Sequence, residues 1–228
     1  MKQSVVADWA ERHSIPIIKP HAPLDLISSL ETLDCVITIG YGVLLPPQIL
    51  ELPQHGFLNL HFSLLPAYRG AAPAQRCLQN GDSVTGVSVF QLEKGMDTGP
   101  IYAQSSIQIN PSWRSFELLS VLAQEGPAVV DRALTMISDG VSPTPQSGTA
   151  TLAAKISKAE AQLDFTQSSE SLVNAIRAFT YEPGSWSLWK GEPFKITAAI
   201  SNNDIHLEQG EIVVLDKKVF VGCGEKTA

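Results

Sequence analysis

Asn59, His61 and Asp97 are the side chains whose types and spacing could support a reaction. Asn59 and His61 stand two residues apart in a segment, 56–61, that reads as a strand. A side-chain period of two puts them side by side on one face and gives Leu58 and Leu60 the other. The segment ends in a loop bearing Pro66, Arg69 and Gly70, and the carboxyl ends of strands are where open α/β sheets hold ligands. Asp97 lies in the loop Lys94-Gly95-Met96-Asp97-Thr98-Gly99-Pro100, a turn from which a carboxylate can reach an imidazole on a nearby strand. When an amine attacks a formyl or acyl carbon, an amide and an imidazole can donate hydrogen bonds to the carbonyl oxygen as it gains charge. A carboxylate beside the imidazole stabilises its protonated form, orients it and helps to move protons from the amine. That is acyl transfer without a nucleophilic side chain, and it needs a pre-activated acyl donor. A covalent acyl-enzyme is the weaker alternative, because no Gly-x-Ser-x-Gly elbow occurs and Ser63 has no local base. An imidazole at a strand end is also often a hydrogen-bonded structural residue, so its neighbours decide between the readings.

The elements that would position these groups follow from hydrophobic periodicity. Val5, Val6, Trp9 and Ala10 recur at helical spacing, and Ile15-Pro16-Ile17-Ile18 reads as a short strand. A helix over 25–32, with Asp25 near its start, leads to a fully buried strand over 35–39 and the turn Gly40-Tyr41-Gly42. That turn lacks the third glycine of a dinucleotide fingerprint and reads as a place where backbone can approach a ligand. A short helix over 47–51 then precedes the strand of Asn59 and His61. Alternation in steps of this length predicts crossover units and an α/β, Rossmann-like, mostly parallel sheet. Beyond Gly70 the pattern predicts a helix over 71–78 ending at Asn80-Gly81, and strands over 86–93 and 101–109 that are antiparallel neighbours joined by the Asp97 loop. A long helix follows over 115–138, with Phe116, Leu119, Leu122 and Ala123 on one face and Gly140 as its stop. Residues 141–150, rich in Pro, Gln, Ser, Thr and Gly, have the composition of an interdomain linker. A helix over 169–179 and short runs at 186–189, 194–199, 212–215 and 219–221 read as a small, OB-like β-barrel. The expected division is a catalytic domain over 1–140, a linker over 141–151 and a second domain over 152–228.

Composition excludes several classes. With 44% hydrophobic and 17% charged residues the chain can bury a core. Cys35, Cys77 and Cys223 are scattered and odd in number, with no zinc-ligand spacing to a histidine. They read as reduced, buried thiols of a cytoplasmic protein without a metal. Acidic residues come too early for a secretory signal, and no apolar run is long enough for a membrane span. The terminal Gly222-Cys223-Gly224-Glu225-Lys226-Thr227 mimics a phosphate loop, but with the wrong spacing. The net charge of -7 argues against a general nucleic-acid coat. It is unevenly shared, with 8 basic and 13 acidic residues up to 140 and 8 and 10 after it, seven of the latter basic residues being lysines. The second part is therefore the better candidate for meeting a polyanion, and surface solvation is the competing reading.

Asn59-Leu60-His61, Ser63-Leu64-Leu65-Pro66, Arg69-Gly70 and Gly95-Met96-Asp97-Thr98-Gly99 resemble the active-site signature of the folate-dependent formyltransferases. Within that superfamily the chain is most similar to the methionyl-tRNA formyltransferases. The runs that carry this are Arg69-Gly70-Ala71-Ala72-Pro73-Ala74-Gln75-Arg76, Asn80-Gly81-Asp82, Lys155-Ile156-Ser157-Lys158 and Ile176-Arg177-Ala178-Phe179 with Pro183-Gly184-Ser185-Trp186. The resemblance implies transfer of formyl from 10-formyltetrahydrofolate to the α-amine of initiator methionyl-tRNA. It makes Asn59, His61 and Asp97 the catalytic set, and Ser63, Leu64, Leu65 and Pro66 the folate-contacting loop. It also implies a barrel that binds the tRNA, in a chain expected to be a monomer. Arg69 is open between a folate or phosphate contact and a bond to its own loop. The family usually begins with a strand, turn and helix ahead of anything like residues 5–13, and its barrel extends further, so truncation at both ends is expected. The alternatives are a formyltransferase acting on a sugar-nucleotide or purine-precursor amine, and an inactive folate- or tRNA-binding fragment.

Overall fold

A four-stranded sheet carries Asn59 and His61. In the computed structural model, which describes residues 4–224, the chain begins with α1 (Val5–Arg12), a 3-10 turn (Pro23–Leu26) and α2 (Ile27–Leu30). β1 (Val36–Ile39), α3 (Pro47–Leu50), β2 (Phe57–His61), β3 (Arg69–Gly70) and α4 (Pro73–Gln79) follow. Next come β4 (Val84–Gln91), β5 (Ile101–Gln108), α5 (Ser115–Ser138), β6 (Leu152–Ala153) and α6 (Ser169–Phe179). β7 (Trp186–Trp189), β8 (Glu192–Lys195), β9 (Ile212–Leu215) and β10 (Lys218–Val221) complete it.

The main sheet has the order β1-β2-β4-β5. Its balance differs from the mostly parallel expectation: β1 and β2 pair in parallel, whereas β2 with β4 and β4 with β5 are antiparallel. The connection over 62–83 carries β3 and α4 and returns the chain antiparallel to β2, while the shorter turn over 92–100 joins β4 to β5 as antiparallel neighbours. Residues 15–18 are not a strand. The Ile15 N–H closes the end of α1 on the Ala10 carbonyl at 2.9 Å, Pro16 has no N–H, and no described strand lies alongside to form a ladder. β1, expected to be fully buried, is the edge of the described sheet, and its Ile39 is 62% exposed.

Burial of one face of α5 builds the core. Leu118, Leu122, Val129 and Ala133 pack with Leu58 and Leu60 of β2, Val87 and Val89 of β4, and Leu78 of α4. The buried stripe is therefore centred on Leu118 and Leu122. Ala123, expected to share it, is exposed, and Phe116 is only half-buried. Similarly, α1 buries Ala7 and Ala10 and exposes Val5, Val6 and Trp9. α5 comes close enough to β2 that a Cβ on Gly126 would lie 2.8 Å from Leu60 Cδ2. The terminal strands form two hairpins, β7 with β8 and β9 with β10. No described pairing joins the hairpins into a closed barrel. The run expected at 194–199 is the strand Glu192–Lys195, and Glu225, Lys226 and Thr227 lie outside the described residues. Among the described residues no helix is long and apolar enough to cross a membrane.

Candidate active site

The two faces of β2 do different work. Leu58 and Leu60 turn to α5, while Phe57, Asn59 and His61 take the opposite face, where Phe57 packs with Leu30 and Ile49. Beyond Phe57 that face opens into a cavity of about 490 Å³ lined by Asn59, His61, Gly70 and Asp97. Leu45, Leu50 and Leu92 give it an apolar wall, and the turn Gly40-Tyr41-Gly42 forms part of the rim. A Cβ on either turn glycine would meet nothing within 4 Å, so backbone there is open to a ligand. A second hollow of about 670 Å³ lies beside Arg76 and Glu160 between α4 and α6, and contains none of the three chemical groups.

His61 is 7% exposed and its ring is anchored through Nε2. Nε2 lies 2.9 Å from the Tyr68 carbonyl. A carbonyl only accepts, so Nε2 carries the proton and Nδ1 keeps the lone pair. Nδ1 faces Asp97 Oδ2 at 3.8 Å, and Phe90 meets the ring edge-on at 6.3 Å. Burial pushes the imidazole pKa below its ordinary value, against the opposing pulls of the Asp97 carboxylate and the Tyr68 carbonyl. The ring is thus neutral at pH 7, with its unprotonated Nδ1 turned toward the Asp97 carboxylate. Among the described residues no hydrogen bond engages the Asn59 side-chain amide, which leaves its donors to the cavity.

Backbone places Asp97 as firmly as side chains place His61. Oδ2 accepts the Gly70 N–H at 2.7 Å, and Asp97 itself sits in the left-handed region at φ 53°. Gly70 is required where it stands. Its φ is 123°, and a Cβ there would lie 2.7 Å from the Ala153 carbonyl oxygen of the paired strand β6. The loop residues expected to touch a folate do not line this cavity. Ser63 is fully buried and donates to the Ala67 carbonyl at 2.6 Å. Leu65 is buried with its N–H on Ser88 Oγ, while Leu64 and Pro66 are half-buried. The loop is held from below by Ser88, whose hydroxyl donates to the Ser63 carbonyl at 2.6 Å and accepts from Gln104 Nε2 at 2.8 Å. Arg69 is engaged by Gln146 Oε1. Among the described residues no cluster of three or more His, Cys, Asp or Glu could hold a metal ion.

The formyl transferase family model matches residues 20–134, and the model of the formyl transferase C-terminal domain matches residues 155–228. The methionyl-tRNA formyltransferase of Salinispora arenicola is 38% identical over 231 residues, which cover 97% of this chain and 74% of that protein. The chain belongs to the formyl transferase family. The enzyme of the same name from Nitrosomonas eutropha is 37% identical over 98% of this chain and 73% of its own length. Among solved structures, the N-formyltransferase of Helicobacter canadensis, in complex with folinic acid and dTDP-3-aminofucose, superposes with a TM-score of 0.75 at 17% identity. That match covers 96% of this chain and 79% of the other. HypX of Aquifex aeolicus in complex with tetrahydrofolic acid gives 0.70 at 19%, over 90% of this chain and 37% of its own. At such identities the two structures share the formyltransferase fold with this chain.

Three participants escape a reading of motifs. Tyr68 acts through its carbonyl, and no side-chain pattern announces that. Ser88 sits mid-strand, where only the register opposite His61 reveals it. Gln146 is the one long polar side chain between Val141 and Ala150, a signal that composition alone hides.

Proposed function

We propose that this chain transfers the formyl group of 10-formyltetrahydrofolate to the α-amine of initiator methionyl-tRNA, by direct attack of the amine. The observation that carries the proposal is the convergence of Asn59, His61 and Asp97 on one cavity, with His61 Nδ1 unprotonated and facing the carboxylate. At about 490 Å³, with an apolar wall and a polar end, the cavity falls in the range of small-molecule sites and suits a flat, conjugated donor. The folate supplies a formyl carbon already activated by its nitrogen. As the amine nitrogen bonds to that carbon, the Asn59 amide donates to the oxygen that gains the carbonyl electron pair. His61 Nδ1 takes the proton that the amine sheds, and Asp97 stabilises the resulting imidazolium. The same proton then goes to the departing folate nitrogen, which leaves a formylated amine, tetrahydrofolate and a neutral His61.

The amine is assigned from the relatives at 37 to 38% identity, which are named for methionyl-tRNA. In this reading residues 1–140 carry the chemistry, 152–228 with its lysines holds the tRNA, and the protein works as a monomer in the cytoplasm. In this reading Ser63, Leu64, Leu65 and Pro66 form the folate-contacting loop, with Ser63 bonded to the Ala67 carbonyl and the Leu65 backbone to Ser88 and Gln104, and the donor's flat ring lies along the cavity wall. The test is an assay of the purified chain with 10-formyltetrahydrofolate and either charged initiator tRNA or an amino-sugar nucleotide, run beside His61→Ala. Formylated tRNA from the wild type, with none from a His61→Ala variant that still binds folate, is the expected result. Transfer to the sugar nucleotide alone, or a His61→Ala variant with near-normal turnover, overturns the reading.

A further inference from the structure

The stretch expected to be a linker runs across the catalytic turn and is fastened to it along its length. Thr144 exchanges two backbone hydrogen bonds with Ile101, at 2.7 and 2.8 Å. The Thr151 hydroxyl accepts the Tyr68 N–H at 2.8 Å, its carbonyl accepts the Arg69 N–H at 2.9 Å, and β6 continues the pairing with β3. Between these anchors, Gln146 Nε2 donates to the carbonyls of both Asp97 and Gly99 at 2.8 Å. Its Oε1 accepts Nε and Nη2 of Arg69 at 3.1 and 2.6 Å. Both amide protons and both lone pairs are therefore in use. The turn that this amide clasps holds Asp97 at a φ of 53°, a conformation that a residue with a Cβ seldom adopts without restraint.

We infer that Gln146 is a positioning residue for Asp97, fixing the turn so that the carboxylate faces His61 Nδ1 and steadying β3 so that Gly70 donates to the same carboxylate. A purely structural role would lie in anchoring Arg69, and chemistry separates the two. Glutamate at this position still accepts the arginine fork, but it presents an acceptor oxygen to two carbonyls where the amide presented donors. The kinetic part of the test rests on the formyl-transfer reading above; a second part does not.

The experiment compares wild type, Gln146→Glu and Gln146→Ala by thermal melting, by kcat and KM for formyl transfer, and by NMR titration of His61 without substrate. The expected result is a folded Gln146→Glu variant whose kcat falls roughly 10- to 100-fold, the scale of a displacement near 1 Å at a reacting group, with KM for tRNA little changed. With the Asp97 carboxylate displaced, the pull that raises the His61 pKa is lost, so its titration moves to lower pH in Gln146→Ala, which adds no charge of its own. Wild-type kcat in Gln146→Glu together with an unmoved His61 titration in Gln146→Ala overturns the inference. So does failure of both variants to fold, since Gln146 would then hold the fold and not the turn. If the wild-type chain formylates no amine, the functional reading falls, while the substrate-free His61 titration still decides the role of Gln146.

Discussion

At the scale of single residues, His61 sets the pH behaviour. Burial is the largest influence on its pKa and drives it below the ordinary 6.5, so the folded state prefers the neutral ring more than the unfolded chain does. The sign follows by linkage: the stabilisation from this depressed value is fully present above about pH 6.5 and is lost as pH falls through the lower folded value. The melting temperature is therefore expected to drop on acidification below pH 6.5, and more steeply in the wild type than in His61→Gln. In the proposed mechanism the acid limb of kcat/KM belongs in the same window, because that mechanism needs Nδ1 unprotonated to take the proton of the amine. Asp97→Asn keeps an oxygen for the Gly70 N–H and removes the charge. The expected loss in kcat is on the order of 10²- to 10⁴-fold, with the His61 titration displaced to lower pH because the raising influence of the carboxylate is gone. A variant with wild-type turnover would remove Asp97 from the mechanism.

At the scale of elements, the loop between β4 and β5 is shaped by a close approach that tolerates no side chain. A Cβ on Gly99 would lie 1.8 Å from the Gln91 carbonyl oxygen, so Gly99→Ala must push the turn away from β4. A stability loss of about 1–3 kcal/mol is expected in urea titration, together with a loss of transfer larger than that figure explains, because Gly99 also offers a carbonyl to Gln146. Equal losses of stability and transfer would show that the loop's position does not matter for chemistry. Elements such as this divide according to how local their causes are. Helices α5 and α6 were legible to the residue because amphipathic spacing and flanking stops are properties of the segment itself. The Asn59 and His61 strand and the Asp97 turn were legible for the same reason. Residues 15–18 were not, because a strand needs a partner and apolar β-branched residues do not reveal its absence. The buried stripe of α5 was misplaced by part of a turn, since which side meets β2 depends on Gly126 and Leu60 together. Gln146 was hidden because its three partner residues, Arg69, Asp97 and Gly99, lie 47 to 77 residues away in sequence.

At the scale of the whole molecule, the first core extends past the stretch expected to separate two domains. Ala178 and Phe179 of α6 lie in the cluster that holds Leu78, Leu118 and Val87. Arg177 Nε donates to the Trp113 carbonyl at 2.8 Å, and the Ser115 hydroxyl donates to the Thr180 carbonyl. Arg76 of α4 pairs with Glu160 and also donates to the Ala154 carbonyl at 3.0 Å. Calorimetry is accordingly expected to show α6 unfolding in the same transition as the sheet. Phe179→Ala should lower the stability of that transition by about 3–5 kcal/mol. A Phe179→Ala variant whose main transition is unmoved would assign α6 to a separate folding unit.

The strap from Thr144 to Ala153 has a practical reach beyond this chain. It lies between the stretches matched by the two family models, residues 20–134 and 155–228, which is where an engineer exchanging C-terminal domains between relatives would cut. A crossover placed at 140 would import a foreign strap and with it a foreign grip on Asp97, Arg69 and Tyr68. A crossover at 154 would carry the native strap with the half it serves. Such a cut keeps the strap with the turn it holds, and the α6 residues that share the first core, Ala178 and Phe179, are then the ones to match across the junction.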